Sequence, residues 1–224
     1  MEQIEKNTVA AENQLPDKRF VFFINPEGKG KRVLFVGNSI TRHGIKHDIG
    51  WHNEWGMAAS ALDKDYVHVA ANEIKKIDPD AAFCICQVAE WERNCYDGEK
   101  TFDLYKEARE FKADVIIMRA VENCPRDNYN SELFQKELDK LMSYLNSTGN
   151  AQMIITTGFW KHIADSAIRE YAQKNKYPLV ELNDLGEDDS MKAIGLFEHS
   201  GVAAHPGDKG MKAIAERILN ALKI

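Results

Sequence analysis

Short apolar runs alternate with stretches of helical period along most of this chain. Val33-Leu34-Phe35-Val36, Ala82 to Val88, Asp114 to Met118, Met153 to Thr157 and Pro178 to Leu182 are too brief for helices and rich in β-branched or aromatic residues. Between them, Tyr66 to Ile77 and Phe102 to Phe111 read as helices. Residues 131–146 put Leu133, Phe134, Leu138, Leu141, Met142 and Leu145 on one side, with Asn130 or Ser131 as cap. Ile163, Ala164, Ala167, Ile168 and Tyr171 form another stripe, and Met211, Ile214, Ala215, Ile218, Leu219 and Leu222 a last one. Arg19 to Ile24 reads as a short strand ahead of an Asn25–Gly30 turn.

Strands without polar alternation, separated by amphipathic helices, are buried on both faces, which is the condition of a parallel sheet covered by helices. The expectation is a three-layer α/β/α sandwich on a five-stranded parallel, flavodoxin-like sheet of order 2-1-3-4-5. At 224 residues the chain suits one domain, placed at 19–224, with residues 1–18 as a polar N-terminal arm. In such sheets ligands bind beyond the carboxyl ends of the strands at the switch point, so the residues after Val36 and after Met118 carry the most information.

Composition narrows the function classes. A net charge of −6 argues against nucleic acid or anionic lipid as partners. The polar start, Met1 to Asn7, does not resemble a signal peptide, and the apolar runs fall far short of the roughly 18 residues of a membrane span. No membrane association and a cytoplasmic location are expected; oligomeric state is not legible. Cys84, Cys86, Cys95 and Cys124 form no Cys-x-x-Cys pair and no zinc spacing with histidine, so reduced thiols, no metal and no cofactor are expected. His43, His47 and His52 share one loop without a helix to align them and read as surface or substrate-contacting groups. Gly28-Lys29-Gly30-Lys31 precedes a strand and lacks the Gly-Lys-Ser/Thr ending of a phosphate loop.

Three polar clusters sit where the chemistry belongs: Gly37-Asn38-Ser39-Ile40-Thr41 after the first parallel strand, Arg119 to Cys124 after the third, and His205-Pro206-Gly207-Asp208 before the last helix. A serine nucleophile needs a base within hydrogen-bond reach and donors for the oxyanion. The three clusters offer a candidate for each of these tasks at places the fold would bring together.

These blocks resemble the SGNH (GDSL-like) hydrolase superfamily. Gly37-Asn38-Ser39 is similar to its nucleophile block, Val115 to Asn123 to the block that supplies an asparagine, and His205-Pro206 to the block of the catalytic histidine. The resemblance implies a metal-independent serine esterase or acylhydrolase acting on a small acyl ester, with a carbohydrate acetyl group as one target. Ser39 would be nucleophile and His205 its base, with the Ser39 N–H and the Asn123 amide holding the oxyanion.

Two departures from the family pattern follow. Val202 stands where an aspartate normally precedes the histidine, leaving Glu198, Glu122 or a main-chain carbonyl near Val202 to orient His205. Gln87 to Asn94 lacks the glycine whose N–H joins the oxyanion hole, leaving the Ala89 or Glu90 N–H. Both departures would also suit an SGNH-fold ligand-binding protein with little or no turnover. Asn38, Trp51, Trp91 and Arg119 are candidate substrate contacts. Core packing is the alternative for the tryptophans, and pairing with Glu122 the alternative for Arg119.

Overall fold

A computed structural model describes residues 19–222; the expected polar arm, residues 1–18, lies outside the described residues. Five parallel strands, β2 (Arg32–Gly37), β3 (Ala82–Gln87), β4 (Val115–Arg119), β5 (Gln152–Thr156) and β6 (Leu179–Val180), lie in the spatial order β3-β2-β4-β5-β6. Counted along the chain, that is the expected 2-1-3-4-5. The sheet has a sixth strand. β1 (Val21–Ile24) pairs antiparallel with the outer edge of β3, Val21 opposite Cys86 and Ile24 opposite Phe83. The turn at Asn25–Gly30 returns the chain to β2 by way of this edge, so the early apolar run becomes an antiparallel cover outside the parallel set.

Successive residues of the inner strands point to opposite faces, and both faces are buried. Val33, Phe35, Val115 and Ile117 pack under α1 (Tyr66–Ile77) and the C-terminal helix. Leu34, Val36, Ile116 and Met118 pack on the other face, against the helices that connect β3 to β6. α1 begins where Asp65 accepts the His68 N–H, a side-chain cap, and buries Tyr66, Val67, Ala70, Ala71 and Ile74.

The middle of the chain is less regular than its periodicity suggests. α2 (Ala89–Arg93) occupies the stretch without a glycine. The helix expected over 102–111 is a 3-10 segment, Gly98–Tyr105, running into α3 (Lys106–Glu110). α4 (Ser131–Leu145) is capped by Asn130, but its buried stripe takes in Glu137 and leaves Leu133 only partly covered. α5 (Asp165–Asn175) starts after Ile163, which is exposed. The chain ends in a single turn, α6 (Ser200–Ala203), and α7 (Asp208–Ala221), which packs beside α1. Among the described residues no helix is long and apolar enough to cross a membrane.

Candidate active site

β2 ends at Gly37, and the next residues turn sharply enough that the Asn38 carbonyl accepts both the Thr41 and Arg42 N–H groups at 2.9 Å. Glycine is required at 37 for packing: a Cβ there would lie 1.8 Å from Thr41 Oγ1 and 2.8 Å from the Arg119 carbonyl. Ser39 follows at the apex of this turn. Its carbonyl accepts the Met57 N–H at 2.8 Å, which fixes the backbone. Among the described residues its own N–H has no acceptor.

His205 arrives from the far end of the chain and brings Nε2 to 2.8 Å from Ser39 Oγ. Its Nδ1 lies 2.6 Å from the Gly201 carbonyl oxygen. α6 is so short that its last carbonyls lack helical partners. The Ala203, Ala204 and His205 N–H groups go to His199, Ser200 and Val202, leaving the Gly201 oxygen for the imidazole. With the Nδ1 proton on that carbonyl, Nε2 presents a lone pair to the serine hydroxyl. Glu198 is exposed and makes no hydrogen bond among the described residues, and Glu122 is committed elsewhere, so neither carboxylate orients the ring. Trp160 packs edge-to-face on it at 5.0 Å between centroids. Burial lowers the His205 pKa to about 4, keeping the ring in its neutral, basic form at neutral pH.

Behind the turn lies a buried polar network. Arg119, at the tip of β4, donates to Glu122 Oε1 at 2.6 Å and to Asn38 Oδ1. The Asn38 amide nitrogen reaches Glu92 Oε1 at 2.8 Å and Glu122 Oε2 at 2.6 Å. The Asn123 amide nitrogen reaches the other oxygen of Glu92 at 2.5 Å. Burial opposes ionisation of Glu122, but the Arg119 guanidinium, together with hydrogen bonds from the Phe159 N–H and Asn38, holds its carboxyl below the usual carboxylate range. Glu92 lacks such a contact, and burial, then repulsion from Glu122, pushes its carboxyl up to about 7.

A cavity of about 270 Å³ opens over the serine, with Ser39, Asn123 and His205 in its lining. Ala89 and Glu90 also line it, although the Ala89 N–H is taken by its neighbour Gln87 Oε1 at 3.1 Å; the Glu90 N–H has no acceptor among the described residues.

Four expected substrate contacts lie elsewhere. Trp51 is fully buried against Trp55 and Phe197 beneath its loop, and Trp91 packs on Phe134 in the main core. Arg119 and Asn38 are wholly buried and spend their polar atoms on the network. In their place the cavity takes Phe20, Ile45, Ile49 and Met57 as apolar wall, with His43, Lys46 and Arg93 as polar lining. Burial lowers the His43 pKa too. His47 and His52 bond to each other, Nδ1 to Nδ1 at 2.7 Å. Among the described residues no group of three or more His, Cys, Asp or Glu side chains is arranged to hold a metal ion, and all four cysteines are free and buried.

The mostly parallel central sheet flanked by helices is an α/β fold that this chain shares with esterases of known structure. No protein-family model matches the chain, and no curated protein matches it in sequence. Solved structures do. A two-domain esterase active on acetylated mannans superposes with a TM-score of 0.56 at 16% identity over 88% of this chain, which spans about half of that protein, 49%. The psychrotrophic esterase EstA of Pseudoalteromonas sp. gives a TM-score of 0.57 at 10% identity, covering 86% of this chain and 96% of its own. An acetylxylan esterase of Geobacillus stearothermophilus gives 0.54 at 13% identity, covering 88% and 96%. At these identities the likeness is one of fold.

Proposed function

We propose that the chain is a serine ester hydrolase, and the observation that carries this reading is the 2.8 Å contact between Ser39 Oγ and His205 Nε2. His205 takes the hydroxyl proton as Ser39 attacks the ester carbonyl carbon. The resulting oxyanion is held by the Ser39 N–H and the Asn123 amide. Collapse of the tetrahedral intermediate expels the alcohol, which takes its proton from His205. Water then attacks the acyl-enzyme by the same steps in reverse. No part of this sequence calls on a metal or an organic cofactor.

The substrate proposed is a small acyl ester, with a carbohydrate O-acetyl group as the preferred case. A cavity of about 270 Å³ suits a short acyl chain, and Lys46, Arg93, Gln87 and His43 offer hydrogen-bonding groups to a hydroxylated alcohol. Two of the structural neighbours, those from the mannan and xylan systems, are described as acting on acetylated polysaccharide or bearing an acetylxylan esterase name. Hydrolysis of a short-chain nitrophenyl ester tests the reading: the wild-type chain turns over, Ser39→Ala does not, and a fluorophosphonate labels Ser39. Equal rates for the two proteins overturn it.

A further inference from the structure

From the buried contacts behind the cavity we infer that Glu92 is a positioning residue, holding the Asn123 carboxamide for the oxyanion and tying it to the nucleophile turn through Asn38. The inference rests on the esterase reading above.

Glu92 is fully buried and lies outside the cavity lining, so it acts through other groups. Its two oxygens serve two different amides. Oε1 accepts from Asn38, the residue before the nucleophile, and Oε2 from Asn123 at 2.5 Å. An amide nitrogen carries two hydrogens. With one fixed on Glu92, rotation of the Asn123 side chain is blocked, and the second hydrogen is the one left for a developing oxyanion. Asn123 lies between β4 and α4 in no helix or strand of its own, and Glu92 is its only hydrogen-bonded side-chain partner among the described residues.

Asn38 completes the link. Its second N–H goes to Glu122, the residue before Asn123, and its oxygen accepts from Arg119. The two halves of the oxyanion site, at the tips of β2 and β4, are thereby joined through one carboxylate delivered by α2. That carboxylate comes from the stretch in which the family pattern has a glycine.

The test is a double-mutant cycle between Glu92 and Asn123, read as kcat and KM on a short-chain nitrophenyl ester. Glu92→Gln keeps the shape but offers a single acceptor oxygen to two amide donors. In the otherwise wild-type chain it is expected to lower kcat about ten-fold or more, with KM changed less than about two-fold, and never beyond the loss from Asn123→Ala. In the Asn123→Ala background the same change should move kcat less than about two-fold, because its target is gone. Equal losses in both backgrounds, or a lowered thermal midpoint with unchanged kcat, overturn the inference and leave Glu92 a structural residue. Should Glu92→Gln fail to fold, Glu92→Asp, which keeps both acceptors but draws them back, is put through the same cycle under the same criteria. Ser39→Ala run alongside separates the two readings: if it retains the wild-type rate, the esterase reading falls and this inference with it, whereas an inactive Ser39→Ala with an additive cycle removes only the role of Glu92.

Discussion

His205 Nδ1 lies 2.6 Å from the carbonyl oxygen of Gly201, four residues earlier, so a main-chain group occupies the place of an orienting acid. The single turn of α6 leaves that oxygen unused by the backbone, and its position is set by the fold rather than by a titrating side chain. Val202, where the family pattern has aspartate, is wholly buried in a small cluster with Trp51, Met57 and Ala193. Val202→Asp is therefore expected to give no gain in kcat and to destabilise the chain by about 2–4 kcal/mol through a buried, unpaired carboxyl. Urea unfolding with parallel kinetics checks this, and a faster, equally stable variant contradicts it.

The pH dependence follows from the same imidazole. Burial lowers its pKa from the ordinary 6.5 to about 4, so the acid limb of kcat/KM should fall with an apparent pKa near 4 and activity should persist at pH 5. The folded pKa is the depressed one, so between 6.5 and 4 the unfolded chain binds the proton more readily. Stability from the neutral ring is thus complete above pH 6.5 and is lost as pH falls towards 4. A pH-rate profile with its acid limb centred near 6.5 contradicts this assignment.

Among the described residues Arg119 is the one cation in direct contact with a carboxylate of the buried network. Arg119→Met leaves Glu122 buried without its partner and removes a donor to Asn38, and it is expected to cost about 3–5 kcal/mol of stability. Thermal or denaturant unfolding gives the value. A loss under about 1 kcal/mol would mean the pair is as weak as a surface one.

Asn123→Ala removes the amide offered to the oxyanion and leaves the buried Glu92 Oε2 without its partner, so its effect should appear in turnover and, to a smaller degree, in stability. A fall in kcat of about 10²–10³ with a stability loss of about 1–3 kcal/mol, too small to unfold the chain, is the expected result. An unaltered kcat would show that the oxyanion is held by backbone groups alone.

Much of the architecture is legible because strands buried on both faces and one-sided helices leave different periods in the chain. Tyr66–Ile77 and the β4 run declare themselves in this way. α2 and α6 do not, since five and four residues are too few to complete a repeat. The same limit hides the orientation of His205: every residue has a carbonyl, and only the three-dimensional path of the chain tells which one is spare.

Ser39, Asn123 and His205 can be picked out because each follows or precedes a regular element at the carboxyl edge of the sheet. Glu92 gives no such signal. In Ala89-Glu90-Trp91-Glu92-Arg93 it looks like one charge of a solvated helix, and only the single-turn geometry turns it inward while Glu90 pairs with Arg93 outside. Trp51 misleads in the opposite sense. Its surroundings in sequence are polar and glycine-containing, yet the loop folds over it and its ring fills the space between Trp55 and Phe197.

The antiparallel strand at the sheet margin has a consequence for handling the protein. The Phe20 carbonyl accepts the Gln87 N–H while the Phe20 side chain forms part of the cavity wall, and the next four residues cover the open side of β3. Trimming the chain past Ile24 would strip a wall from the cavity over Ser39 and bare a row of unpaired peptide groups to other molecules. Solubility and substrate fit are thus coupled through one short ribbon that carries none of the reacting groups.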